Sequence, residues 1–258
     1  MSTSATDHPL PPLVERYLTT LAARVAGALG DNLVGAYLHG SAVLGGFNPD
    51  RSDADVLVVV NHRLSAQDRD QLAAQLNSDA LPVPAQTLEM SVVTLDSARH
   101  PSAAPSYEMH VNTLRGRFAD GRGRTDPDLL LHFPIVRQSG RLLGSGPPPE
   151  EVFAPLPRSL VLAAMAAELE AALSSDEAAP EYVLLNACRN LAYLEEERFS
   201  SKIDGGRWVL GHAPDIDPRL VTAALRRQDG SDPDAAVDAP AARAIADRVA
   251  GALRAAAG

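Results

Sequence analysis

Residues 54–60, Ala-Asp-Val-Leu-Val-Val-Val, constrain this 258-residue chain more than any other stretch. Valine and leucine fill a pleated, buried surface well, and a near-continuous apolar run is what a strand covered on both faces shows. Yet the run is entered through Asp53-Ala54-Asp55. Residues two apart on a strand share a face, so two carboxylates stand side by side where the apolar contacts begin. Like charges so placed repel, and burying them unpaired is costly. A bound cation removes the conflict, and an all-oxygen donor set suits Mg²⁺, which keeps waters and bridges to substrate phosphates. Upstream, Gly40-Ser41 opens a short turn with Ser41 in a capping position, offering backbone N–H groups and a hydroxyl to a phosphate. Downstream, Gln-Thr-Leu-Glu-Met-Ser-Val-Val-Thr-Leu alternates, with Leu88, Met90 and Val92 on one side and Thr87, Glu89 and Ser91 on the other. That is a strand with one polar face, able to bring Glu89 to the same place as a third carboxylate.

The remaining pattern is that of an α+β protein. A helix closing on Gly30 precedes a strand at Asn32–Gly40, and Ser65 caps an amphipathic helix. Helix is expected across Tyr107–Phe118 and after Asp126-Pro127. The Gly-Ser-Gly-Pro-Pro-Pro segment at 144–149 is the richest in breakers and marks the approach to a boundary. Beyond it, apolar residues at helical spacing predict a small bundle. The expected division is an N-terminal domain at 1–156, a mixed sheet flanked by helices, and a helical domain at 157–258.

Charge narrows the function classes. With 23 Lys and Arg against 33 Asp and Glu, the net charge is −10, which argues against nucleic acid, whose phosphates reward basic surfaces. Cys188 is the only cysteine, so an intramolecular disulfide and a Cys-based metal cluster are excluded; a small buried hydrophobe is the expectation. The N-terminus lacks the basic and apolar regions of a signal peptide, and no apolar run approaches the roughly 20 residues of a bilayer span. A cytoplasmic protein without membrane contact is expected. Nothing in the sequence sets an oligomeric state. The seven histidines show no metal-ligand spacing and are expected to be structural or solvent-exposed. Ser41 lacks the context of a catalytic triad.

Strand, Gly40-Ser41, turn, then Asp53-x-Asp55 entering a strand resembles the nucleotidyltransferase signature of the polymerase-β superfamily. Further on, "HGSAVLGGFNPDRSDADVLVVV", "LEMSVV" and "YVLLNACRNLAYLEEERFSSKIDGGRW" look like the aminoglycoside adenylyltransferases that act on streptomycin and spectinomycin. The resemblance implies ATP as substrate, Mg²⁺ held by Asp53 and Asp55, and Gly40 and Ser41 at the nucleotide. It implies Glu89 as general base on an antibiotic hydroxyl, with third metal ligand as the alternative role. It also puts Arg189 and Lys202 at positions that contact ATP. Read without the family, Arg189 is a surface or salt-bridging arginine, Lys202 a loop lysine, and Trp208 equally a core or domain-packing residue or a ligand contact. Each half is expected to supply groups to the active site.

The implied acceptor is a cationic aminoglycoside or aminocyclitol, which carboxylates suit. Relatives accepting both antibiotics carry a Trp where "VNTLRG" places Thr113, and acidic residues before the Cys-Arg helix; here Asp176, Glu177 and Glu181 lie nearby, and Ala179 occupies one acidic place. Spectinomycin is therefore favoured over streptomycin. The alternatives are a nucleotidyltransferase acting on a non-antibiotic small molecule or a protein hydroxyl, and a silent nucleotide-binding protein, which the complete residue set disfavours.

Overall fold

The computed structural model describes residues 9–77, 79, 81–114, 117–121 and 123–258, with only the backbone of Arg117. The lead-in at 1–8, and residues 115–116 of the Val-Asn-Thr-Leu-Arg-Gly stretch, lie outside the described residues. The chain divides into two compact units, Met1–Leu156 and Pro157–Gly258.

The first unit runs α1 (Pro12–Leu29), β1 (Leu33–Leu38), α2 (Ser41–Leu44), β2 (Ala54–Val60), α3 (Ala66–Leu76), β3 (Leu88–Thr94), α4 (Leu95–Arg99), β4 (Met109–Asn112), β5 (Arg117–Asp120), α5 (Leu129–Ser139), β6 (Arg141–Leu143) and α6 (Pro149–Val152). The strands form one mixed sheet in the order β5-β4-β3-β2-β1-β6. Among the described residues only β2 and β3 pair in parallel; the other four pairings are antiparallel. The parallel pair needs a crossover, and α3 supplies it, started by a capping box in which Ser65 and Asp68 satisfy each other's backbone N–H groups.

Apolar residues leave β2 on both faces. Val56, Val58 and Val60 join Leu18, Leu21, Val25, Leu72 and Leu76 on one; Leu57 and Val59 join Tyr37, Phe133, Val136 and Phe153 on the other. Each fully buried Val or Leu contributes about 1.5–3 kcal/mol, which fixes β2 in register and offsets the cost of the carboxylates at its start.

The helix expected over Tyr107–Phe118 is instead β4 and β5, an antiparallel pair. Glu, Met, Leu and Arg favour helix intrinsically, but Met109 and Val111 are buried while His110 and Asn112 are half-buried. That period of two belongs to a strand, and pairing with β3 decides the outcome. A buried ion pair locks this edge: the Arg69 guanidinium donates to the Leu64 carbonyl at 2.6 Å and to Glu108 Oε2 at 3.1 Å.

The second unit is α7 (Arg158–Ser174), α8 (Pro180–Glu196), α9 (Lys202–His212), α10 (Pro218–Asp229) and α11 (Ala239–Ala257). Its core is aliphatic, with Leu184, Leu185, Cys188, Val209, Val221 and Ala242 packed together. Burial pushes the Cys188 thiol up to about 12, so it behaves as the small hydrophobe expected. Lys202 is not a loop residue: it opens α9, capped by the Ser201 hydroxyl, which accepts from the Asp204 N–H. Among the described residues no helix is long and apolar enough to cross a membrane.

Candidate active site

Asp53 precedes β2, Asp55 lies within it, and the parallel register sets Asp55 directly beside Glu89 of β3. Each carboxylate offers an oxygen, and these oxygens all lie within 4.8 Å of one another. All three residues are half-buried, open enough to admit a ligand. They continue the face that carries Leu57, Val59 and Val93 under helices further along. One sheet face thus turns from apolar to acidic at the start of β2 and β3. Three oxygen donors from carboxylates are a hard-cation set, and they fit Mg²⁺ or a similar divalent ion.

Gly40 backs this cluster. It is the N-cap of α2, with φ 62° and ψ −145°, a region that essentially only glycine enters. Any Cβ there would overlap the Asp55 carboxylate, lying 2.8 Å from its Cγ. Glycine is therefore favoured twice, by the backbone and by the closeness of the Asp55 side chain. Ser41, expected as the cap, is instead the first helical residue. Its N–H and that of Ala42 belong to the first turn, which has no intrahelical acceptors. The His39 N–H donates to the Asp55 carbonyl at 2.9 Å, tying the Gly-Ser turn to the aspartate strand. The His39 ring is buried with its centroid 4.8 Å from that of His132. Burial first, then the neighbouring His132, lowers its pKa well below the usual histidine value.

The sequence reading missed His110, which it grouped with structural or exposed histidines. His110, in β4, sits opposite Ser91 of β3, with Nδ1 3.0 Å from the Ser91 hydroxyl and Nε2 3.6 Å from Glu89 Oε1. The signal was present as alternation, since His110 shares a strand face only if residues 107–112 are extended. Thr113, just past β4, is tied into the sheet: its hydroxyl oxygen accepts from the Leu88 N–H at 2.9 Å and meets the Thr87 hydroxyl at 2.9 Å.

Arg189 and Lys202 belong to the second unit. Arg189 Nη2 donates to Glu168 Oε1 at 2.8 Å, the salt-bridging arrangement the residue suggests by itself. A Cβ on Gly205 would come within 2.5 Å of the Arg189 Cα, so glycine in α9 lets α8 approach and fixes where Arg189 emerges. Lys202 Nζ lies 4.3 Å from the centroid of the Tyr182 ring. Trp208 donates to Glu196 at 2.5 Å and stacks on His212, a packing role within the unit. Of the acidic residues before the Cys-Arg helix, Asp176 and Glu177 are exposed. Glu181 is buried, 3.3 Å from Arg227 Nε, and its charge is directed inward.

Comparison with known proteins places these features in context. A family model described as a nucleotidyltransferase domain matches residues 23–98, and one described as the aminoglycoside adenylyltransferase C-terminal domain matches residues 151–252. A spectinomycin 9-adenylyltransferase of Campylobacter jejuni is 27% identical over 203 residues, covering 76% of this chain and 78% of its own. A Staphylococcus aureus protein of the same name is 27% identical over 218 residues, covering 80% and 82%. Among solved structures, a spectinomycin adenyltransferase from Enterococcus faecialis, crystallised with ATP and spectinomycin, aligns with a TM-score of 0.75 at 18% identity, over 92% of this chain and 99% of that one. At that identity the likeness is one of fold.

Proposed function

The chain belongs to the aminoglycoside adenylyltransferase family of the nucleotidyltransferase superfamily, and from that premise we propose that it moves AMP from ATP to a hydroxyl of an aminocyclitol antibiotic. Spectinomycin is the favoured acceptor over streptomycin, and pyrophosphate leaves. The observation that carries this reading is the convergence of Asp53, Asp55 and Glu89 within 4.8 Å beside a glycine turn where any Cβ would overlap the Asp55 carboxylate.

Nucleotidyl transfer asks the protein mainly to position groups and to stabilise charge. Asp53 and Asp55 would hold the divalent ion, with Mg²⁺ the natural choice for their oxygens. Such an ion, when bound, neutralises the triphosphate and polarises the α-phosphorus. Gly40 and Ser41 bind phosphate oxygens through backbone N–H groups and the hydroxyl. Glu89, as general base, takes the proton of the acceptor hydroxyl as that oxygen bonds to the α-phosphorus and the bond to the departing pyrophosphate breaks. In its alternative role Glu89 is the third metal ligand. Arg189 and Lys202 are the further residues we propose to contact ATP, as cations suited to triphosphate charge. The spectinomycin relatives and the place of Thr113 support the choice of acceptor.

Mass spectrometry of an acceptor mixture incubated with protein, ATP and Mg²⁺ tests the proposal. The expected result is the mass of one AMP gained by spectinomycin and not by streptomycin. ATP bound with no acceptor modified, across a panel of aminoglycosides and aminocyclitols, would move the reaction to a non-antibiotic hydroxyl.

A further inference from the structure

We propose that His110 is a positioning residue for Glu89, holding one carboxylate oxygen so that the other faces the acceptor hydroxyl. The inference rests on the reading of Glu89 as the base. In the β3–β4 ladder Ser91 stands opposite His110 and Glu89 opposite Asn112, so His110 is the diagonal neighbour of Glu89 on the same face. Such neighbours are within reach of long side chains.

Each ring nitrogen faces an oxygen. Nδ1 lies 3.0 Å from the Ser91 hydroxyl, and Nε2 faces Glu89 Oε1 at 3.6 Å. Ser91 is itself buried, so turning the ring away would forfeit its hydroxyl's partner in a place where lost hydrogen bonds are costly. In the tautomer that accepts from that hydroxyl at Nδ1, the ring carries its proton on Nε2, on the side of the carboxylate. Tyr107 meets the imidazole edge-on, with centroids 6.5 Å apart and planes at 78°, a further restraint on its plane. The gap to Oε1 exceeds a hydrogen bond in this ligand-free geometry. It closes with a modest turn about the terminal torsion of Glu89, which is soft, and catalytic hydrogen bonds are often long before substrate arrives. The Ser91–His110–Glu89 line therefore selects one carboxylate orientation, and a partner of this kind acts on rate without touching substrate.

The test is steady-state adenylylation of the acceptor identified by mass spectrometry, with His110→Ala, His110→Gln and His110→Asn. Affinity for ATP in the presence of Mg²⁺ is measured alongside by calorimetry. A glutamine amide nitrogen reaches the place of Nε2, whereas asparagine reaches only that of Nδ1. The expected result is that His110→Ala lowers kcat by about 10- to 100-fold and leaves ATP affinity unchanged. His110→Gln restores most of the rate and His110→Asn does not. In a Glu89→Gln background, His110→Ala causes no further loss of residual turnover, because the two side chains act as one unit. Retained kcat in His110→Ala, equal rescue by asparagine, or a multiplicative loss in the double variant would each overturn the proposal. If His110→Ala fails to fold, the glutamine and asparagine variants carry the comparison alone. Should Glu89→Gln itself keep full activity, the base assignment falls and takes this inference with it. Loss of turnover in Glu89→Gln with an indifferent His110 refutes the inference alone.

Discussion

Replacing Gly40 by alanine separates backbone strain from active-site geometry, because Gly30 provides a matched control. Gly30 has φ 51° and ψ −132°, close to the 62° and −145° of Gly40. A Cβ at Gly30 meets nothing within 4 Å, whereas at Gly40 it overlaps the Asp55 carboxylate. Forcing alanine into this region costs about 1–3 kcal/mol at either site. In a unit of this size each kcal/mol lowers Tm by about 2–4 °C, so both variants are expected to melt a few degrees early and by similar amounts. Their activities should diverge. Carbon atoms in contact prefer about 3.5–4 Å; the Gly40 Cβ would stand 2.8 Å from Asp55 Cγ, so the carboxylate must retreat by roughly 1 Å. A displacement of that size costs on the order of 10²-fold in rate. Differential scanning fluorimetry and steady-state adenylylation at saturating ATP check both halves. Equal activity in the two variants, whether retained or lost, would refute the claim that Gly40 is glycine for the sake of Asp55.

Glu89→Gln is expected to lower kcat by about 10²- to 10⁴-fold with ATP and Mg²⁺ binding intact by calorimetry; binding lost in parallel assigns Glu89 to the metal instead. Arg69→Ala strands the Glu108 carboxylate, which is buried, and should destabilise by about 3–5 kcal/mol in urea titrations. The double change Arg69→Met with Glu108→Gln should cost less, since no buried charge is left behind; Asp120 and Arg63, which lose a partner, are exposed. The His39 pKa is lowered in the folded protein, so its stabilising contribution is present above the unfolded value of 6.5 and is lost as pH falls below it. Urea midpoints should accordingly drop between pH 7.5 and 5.5, and His39→Gln should flatten that dependence. Binding of a cationic acceptor should weaken as salt is added, as screening of carboxylates requires; indifference to salt in a fluorescence titration would count against an electrostatic pocket.

What could be read from the sequence was whatever depends on neighbours along the chain. The capping Ser65, the closing Gly30 and the valine run of β2 are local signals, and each element formed where its signal lay. The pairing of Asp53 with Asp55 follows from the strand period alone. Bringing Glu89 to them depends on the parallel register of β2 and β3, for which a polar strand face offers compatibility but no alignment. The β4–β5 pair was misjudged because residue propensity there points to helix, and only the burial of Met109 and Val111 against β3 reverses it. Partners distant in sequence, such as Glu108 for Arg69 or Glu168 for Arg189, leave no trace in either residue's surroundings. His110 was hidden by the same misjudgement, since its place opposite Ser91 exists only once residues 109–112 are a strand.

The sheet also explains why the acidic cluster sits where it does. Along the face of β2 and β3 that carries Asp55 and Glu89, the later positions Leu57, Val59 and Val93 lie beneath Phe133, Val136 and Phe153. There the aromatic cover contributes burial energy and excludes water. At the first positions of both strands the side chains are half-buried carboxylates, and Gly40 replaces side-chain bulk with bare backbone. Moving the register of β3 by one residue would turn Glu89 to the opposite face and bury it among Met90's neighbours, at a cost no pairing there could offset. Hydrophobic burial along the strands thus sets the position of the charged ends. The carboxylates are brought together by forces acting several residues away from them.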